Sequence, residues 1–355
     1  MSVPTLPGIT AQTITSSRIT TRVLFSGDEN GIPVVFIHGN HSSATYWEET
    51  MLALPAGYRG IAPDNRGYGD ADRSAKIDAT RGLRDLSDDL ATLLDTLKIE
   101  KAHVVGHSLG GSVLWAFMQD YPERILTVTQ VAPGSPFGFG GTKGETGEPS
   151  FPDFAGSGLV SHDFAALIAA GDRSSDNQLS PRNVMNAFYW KPPFVPARLE
   201  DLLSSTLSIH SEAPDYPGDV VPSENFPGLS AGVKGPNNAI SAKYQGDVSK
   251  LYRITPKPPV LWIRGADDQI VGDASMFDLG TLGSLGAIPG YPGVEVYPPQ
   301  PMVKQTRYVL EQYKQNGGDY QEVVLPDTAH TPYIEKPEDF NRAFHVHLSR
   351  VAVGG

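Results

Sequence analysis

The stretch Ala102-His-Val-Val-Gly106-His107-Ser108-Leu109-Gly110-Gly111 decides how this chain is read. Ala102–Val105 is a short run of strand-forming residues, and residues 109–121 carry a helical pattern. Between them lies Gly-x-Ser-x-Gly. In a strand–turn–helix setting this pattern puts the serine on a strained turn with its hydroxyl exposed, while the glycines let strand and helix approach without a Cβ clash. Alone the pattern arises by chance. Here both flanks agree and Gly111 follows, against the blander reading of a small residue at a tight turn. Ser108 is the candidate nucleophile.

Similar runs recur at Val34–Ile37, Gly60–Ala62, Ile125–Val131, Val260–Ile263 and Glu322–Leu325, as strands buried on both faces of a parallel sheet require. Residues 11–26 alternate polar and apolar and read as one or two antiparallel strands. Residues 83–97 put Leu83, Leu86, Leu90, Leu93, Leu94 and Leu97 on one helical face, with Asp85, Asp88, Asp89 and Asp95 elsewhere. Strand and helix alternate to about residue 133, so the class is α/β with a mainly parallel central sheet flanked by helices.

The alternation breaks over residues 134–257, which are rich in Gly, Pro, Ser and Asp. Short helices are expected there at 162–171, 181–189 and 198–209. So long a stretch between strands is not a bare loop. It is expected to form a large inserted cap over the C-terminal edge of a sheet built from 1–133 and 258–355, where ligands sit in open α/β sheets. A second insertion, 272–318, begins Gly/Pro-rich and ends in a helix over 302–315, near the same edge. The long insertion is rich in aromatic residues, among them Phe137, Phe139, Phe151, Phe154, Phe188, Tyr189, Trp190, Phe194, Tyr216 and Phe226; most are expected to form its own small core and a few to line an apolar pocket.

A serine hydroxyl needs an adjacent base. His330, in Pro326-Asp-Thr-Ala-His330-Thr-Pro, directly follows the last strand, on the same rim as Ser108. His103 lies within a strand, His345 and His347 in the tail helix, His162 and His210 in the insertion and His107 in the elbow itself, and their claims are weaker. The third group must hold the imidazole tautomer and stabilise the imidazolium. Gly265-Ala-Asp267-Asp268-Gln-Ile-Val271 offers two adjacent carboxylates at a strand end; only one can reach His330, and Asp268 is favoured. Backbone N–H groups of Leu109 and of Asn40, in His38-Gly39-Asn40-His41, are the candidate oxyanion donors, with the Asn40 side chain a possible further donor to substrate. His41, His107, Trp190 and Tyr291 are candidate pocket residues.

Of 355 residues none is cysteine, which excludes disulfides and thiolate chemistry. A net charge of −12 argues against nucleic acid and anionic membrane as partners, and solubility accounts for the acidity. No signal segment opens the sequence and no run reaches ~18 apolar residues. A cytoplasmic protein acting on a small molecule without cofactor or metal is expected; self-association is left open.

These pieces together resemble the α/β-hydrolase superfamily, in the branch of bacterial esterases, haloperoxidase-like enzymes and carbon–carbon bond hydrolases. The matching residues are His38-Gly39-Asn40, Asp64-Asn-Arg66-Gly67-Tyr-Gly69, Gly106-His-Ser108-Leu-Gly110, Gly265-Ala-Asp-Asp268-Gln-Ile-Val and His330-Thr-Pro-Tyr-Ile-Glu335. The resemblance implies a Ser108–Asp268–His330 triad and a structural turn at Asp64–Gly69. Dehalogenases and epoxide hydrolases of the fold carry aspartate where this chain has Ser108. Two departures stand out: Asp268 and His330 are further apart than is usual, and the long insertion matches no named subfamily. The leading expectation is hydrolysis of a carboxylic ester or lactone, on a bulky apolar substrate. Its rivals are carbon–carbon bond hydrolysis, with Arg173, Arg182, Lys191 or Arg198 holding a substrate carboxylate, and a receptor without turnover.

Overall fold

The computed structural model describes residues 3–212 and 214–351. Twelve strands occur among them: β1 (Thr10–Thr15), β2 (Thr20–Gly27), β3 (Ile32–Ile37), β4 (Tyr58–Pro63), β5 (Ala102–His107), β6 (Ile125–Val131), β7 (Thr142–Lys143), β8 (Glu148–Pro149), β9 (Val220–Pro222), β10 (Leu229–Ala231), β11 (Val260–Gly265) and β12 (Tyr320–Leu325). Eight form one sheet in the order β1-β2-β4-β3-β5-β6-β11-β12, and the remaining four make two short antiparallel pairs within the long insertion. From β4 to β12 every pairing is parallel, while β2 runs antiparallel to both β1 and β4.

The strand order places the site. After β3 the chain moves outward to β4, and β5 then returns to the other flank of β3. The connections leaving β3 and β5 therefore diverge, and the crevice between them is where open α/β sheets bind ligands.

Alternating side chains of the inner strands feed two cores. Val35, Ile37 and Val104 join Leu86, Leu90, Val113, Phe117 and Leu310 on one face. Val34, Phe36 and Val105 join Trp47, Met51, Phe340 and Phe344 on the other. The helix Leu109–Asp120 is buried from Leu109 to Met118, as a helix apolar all round must be.

The long insertion shares both cores. Ile168, Tyr216, Ala239, Val248 and Leu251 belong to the first, and Met185, Tyr189, Trp190, Leu202 and Leu203 to the second. A contact between the two insertions is aromatic as well: Phe226 lies 5.8 Å from Tyr291 and 5.4 Å from Tyr297. Buried amides add to it, with Ser135 Oγ donating to Gln305 Oε1 (2.7 Å) and Gly140 N–H to Gln300 Oε1 (2.7 Å). The helix expected over 181–189 is α only for Pro181–Val184 and continues as a π segment, Met185–Tyr189. No helix among the described residues is long and apolar enough to cross a membrane.

Candidate active site

Ser108 joins β5 to the helix Leu109–Asp120 with φ 54° and ψ −118°, a conformation that costs a residue bearing a Cβ on the order of 1–3 kcal/mol. Neighbours hold it there. Its N–H donates to Val131 O (3.0 Å), and its carbonyl accepts from Ser112 (3.1 Å) and Gly134 (3.3 Å). The glycines are sterically required: a Cβ on Gly106 would lie 2.5 Å from Gly110 O, and one on Gly110 2.2 Å from Ile37 O. Ser108 itself is partly exposed.

The loop after β3 lies against this turn, since a Cβ on Gly39 would come 3.1 Å from Ser108 Cβ. The backbone N–H groups of Asn40 and Leu109 have no hydrogen-bond partner among the described residues. The Asn40 side chain is engaged: Oδ1 accepts from Tyr68 Oη (2.8 Å) and His41 N–H (3.1 Å), and Nδ2 donates to Asn237 Oδ1 (2.9 Å).

His330 follows β12 and Asp268 follows β11, two paired parallel strands. His330 Nδ1 lies 2.8 Å from Asp268 Oδ2, and Asp268 Oδ1 accepts from the N–H groups of Ile270 (2.8 Å) and Val271 (3.0 Å). An ionised carboxylate only accepts, so Nδ1 donates in this bond, and in the neutral imidazole Nε2 is then the nitrogen with the lone pair. Asp267 points elsewhere, accepting from Lys191 Nζ (2.7 Å), which also reaches Asp327 (2.9 Å) at the surface.

The histidine loop is pinned from several sides. Ala329 N–H donates to the largely buried Glu335 (2.8 Å), whose carboxyl is raised by burial. Thr331 donates through both N–H (2.8 Å) and Oγ1 (2.6 Å) to Tyr189 O of the insertion. His107 donates from Nε2 to His330 O (2.9 Å), and its Nδ1 accepts from Tyr333 Oη (3.3 Å). Burial, then the nearby His330, hold His107 well below the usual histidine range. The 4.7 Å separation of the two rings ties the residue before Ser108 to His330.

The pocket candidates separate. His107 is a buried packing and hydrogen-bonding residue of the elbow. Trp190 is fully buried in the second core with its indole donating to Asn186 (3.2 Å), a packing position rather than a pocket wall. Tyr291 packs on Phe226 and donates to Tyr297 O (2.8 Å), between the insertions. His41, at φ 46°, does face the long insertion, edge-on to Phe164 (5.3 Å) and Tyr216 (4.8 Å), and burial depresses it to about 3. Tyr189, whose ring lies 6.5 Å from that of His330, and Tyr216 are among the insertion aromatics from which a few pocket residues are expected, whereas no local pattern marks Tyr68 or Asn237 as part of the site. Tyr68 sits in the Asp64–Gly69 turn, where Asp64 accepts from Ala44 and Asp70 and Arg66 pairs with Asp89, so most of that turn is structural. Two of its residues reach the loop beside Ser108, Tyr68 through Asn40 and Asn65 through His38.

The four insertion cations considered for a substrate carboxylate are all occupied. Arg173 and Arg182 pair with Glu200, Arg198 with Glu48 and Asp201, and Lys191 with Asp267 and Asp327. No three His, Asp or Glu side chains converge as a metal-ligand set among the described residues.

Comparison with known proteins agrees with the geometry. The profile of the alpha/beta hydrolase fold matches residues 32–280. The chain is 37% identical over 121 residues to the AB hydrolase superfamily protein YfhM of Bacillus subtilis, covering 34% of this chain and 42% of that one. It is 38% identical over 125 residues to epoxide hydrolase B of Mycobacterium tuberculosis, covering 31% and 34%. The chain thus matches less than half the length of either relative. Among solved structures, a serine hydrolase from Cycloclasticus zankles superposes with a TM-score of 0.60 at 16% identity, covering 98% of this chain and all of the other. The profile covers more than half of the chain and takes in the sheet from β3 to β11, which makes the chain a member of the alpha/beta hydrolase fold family.

Proposed function

We propose that this protein is a serine hydrolase cleaving a carboxylic ester or lactone through an acyl-enzyme. The observation that carries the reading is the Asp268–His330 hydrogen bond, on a loop tied through His107 to the strained Ser108 turn. Ser108 Oγ attacks the substrate carbonyl carbon and gives its proton to His330 Nε2. The carbonyl oxygen becomes an oxyanion and accepts from the unpartnered N–H groups of Asn40 and Leu109. Collapse breaks the bond to the alkoxy oxygen, which leaves with the proton from His330. Water then attacks the acyl-enzyme, losing its proton to His330, and the acid departs as Ser108 is restored.

The walls near these groups favour a bulky, largely apolar substrate, since Tyr189 lies beside His330 and the His41, Phe164 and Tyr216 rings pack together next to Asn40. Two relatives' chemistries fit less well. Epoxide hydrolysis in this fold is associated with an aspartate nucleophile, and position 108 is serine. Carbon–carbon cleavage calls for a cation free to hold a substrate carboxylate, and the four insertion cations considered for that role are paired. Turnover of p-nitrophenyl acetate and butyrate by the wild type, lost in Ser108→Ala by roughly 10⁶-fold as in interdependent triads, is the expected result. A Ser108→Ala protein retaining a tenth of wild-type turnover would reject the assignment.

A further inference from the structure

Asn40 offers its backbone N–H to the site, so whatever orients its side chain also orients that donor. The amide is gripped at both ends. A backbone N–H can only donate, so the His41 N–H, 3.1 Å away, fixes which end of the Asn40 amide is oxygen. That oxygen also accepts from Tyr68 Oη at 2.8 Å, and the nitrogen faces Asn237, which must therefore present its own oxygen at 2.9 Å.

Both grips are rigid. Tyr68 is fully buried, its ring edge-on to His38 at 5.1 Å. Asn237 belongs to the turn Pro236–Ala239 of the long insertion and is buried. Its neighbour Asn238 donates to Asp219 O and Lys234 O, both at 2.7 Å, and Asp219 Oδ1 accepts from Val233 (2.9 Å) and Lys234 (2.8 Å). The turn cannot shift without breaking this set. Asn40 and Asn237 lie 197 residues apart in sequence, so this contact is one that the insertion alone supplies.

We propose that Asn237 is a positioning residue for the oxyanion site, holding the Asn40 backbone N–H in line through the Asn40 amide, with Tyr68 as the opposing arm. The long insertion thereby completes the oxyanion site. This rests on the esterase reading above. A donor held in advance stabilises charge that develops in the transition state without reorganising, so its misalignment falls on kcat rather than on ground-state binding.

The test compares wild type, Asn237→Leu, Tyr68→Phe and the double variant on p-nitrophenyl butyrate and on inhibition by phenylboronic acid, which forms a tetrahedral adduct with a serine. Losing a whole oxyanion donor costs ~10²–10³ in kcat, so each single variant is expected to lose about 10–100-fold in kcat, with KM within about threefold. Phenylboronic acid inhibition should weaken by a similar factor. The double variant should lose less than the product of the singles, because both act through one amide. Unchanged kcat and inhibition, or a loss confined to KM, would overturn the proposal. Asn237→Ala replaces the leucine variant if the bulkier side chain prevents folding. The Asn40 amide resonance in ¹H–¹⁵N spectra separates this claim from the esterase reading. A wild type inert toward the ester removes that reading alone, and a sharp, unmoved Asn40 resonance in Asn237→Ala and Tyr68→Phe removes this one.

Discussion

His330 Nδ1 and Asp268 Oδ2 meet at 2.8 Å although 62 residues separate them in sequence. The contact follows from the sheet: β11 and β12 pair in parallel, with Gly265 opposite Leu325, so the loops after them emerge side by side. The second insertion lengthens the chain between these strands without moving their ends apart.

The adjacent aspartates should behave very differently. Asp268→Asn is expected to lower kcat on the order of 10⁴-fold, because an amide at this position favours the wrong imidazole tautomer. Asp267→Asn should cost far less, since its partner is the half-exposed Lys191 and such pairs contribute at most about 1 kcal/mol. Steady-state kinetics of both variants check this, and the reverse ranking would move the acid to Asp267.

Gly110→Ala should destabilise the elbow by about 1–3 kcal/mol or more, as overpacking does. The added Cβ would meet the backbone oxygens of Ile37 (2.2 Å) and His38 (2.7 Å), neither of which is a flexible side chain that can swing away. Urea unfolding measures the loss, and a wild-type midpoint would contradict the close approach of strand and helix.

Trp190→Ala should cost roughly 3–5 kcal/mol of stability, the range for removing a large buried aromatic. With its indole enclosed in the core, the effect on turnover is expected to be equal for p-nitrophenyl acetate and for a bulky aromatic ester. A loss confined to the bulky ester would put the indole against the substrate instead.

Acid should weaken the fold before it titrates most carboxylates. Burial lowers His38, His103 and His347 each from 6.5 to about 4. As pH falls from 6.5 toward 4, the unfolded chain takes up protons that the folded chain refuses, so stability declines with falling pH. Thermal melts at pH 7.0, 5.5 and 4.5 should show a falling midpoint, and His103→Gln with His347→Gln should flatten the slope. A midpoint independent of pH over this window would refute the neutral buried state.

Much of the frame was legible because its signals are local. The run Ile125–Val131 and the helix 302–315 coincide with the observed elements, and the leucine face of 83–97 is the helix Arg84–Thr96. Residues 11–26 fold as the β1–β2 hairpin. Aromatic residues of the long insertion were harder to assign, because an apolar side chain does not announce which core will take it. Tyr189, Trp190 and Tyr216 entered the cores on the two faces of the sheet rather than one of the insertion's own.

By itself the sequence determined the Gly-x-Ser-x-Gly turn at Ser108, since a strand, a turn and a helix in succession are set by residues only a few positions apart. It also determined the parallel sheet, through the alternation of short apolar runs with helical patterns. Only the tertiary structure decided which carboxylate faces His330, that Tyr189 holds the loop after it, and that the Asn40 amide spans Tyr68 and Asn237. Each of those contacts closes a loop of tens to hundreds of residues. Its partners are selected by how the strands are ordered and how the insertions pack, and no pattern within a short window of sequence carries that information.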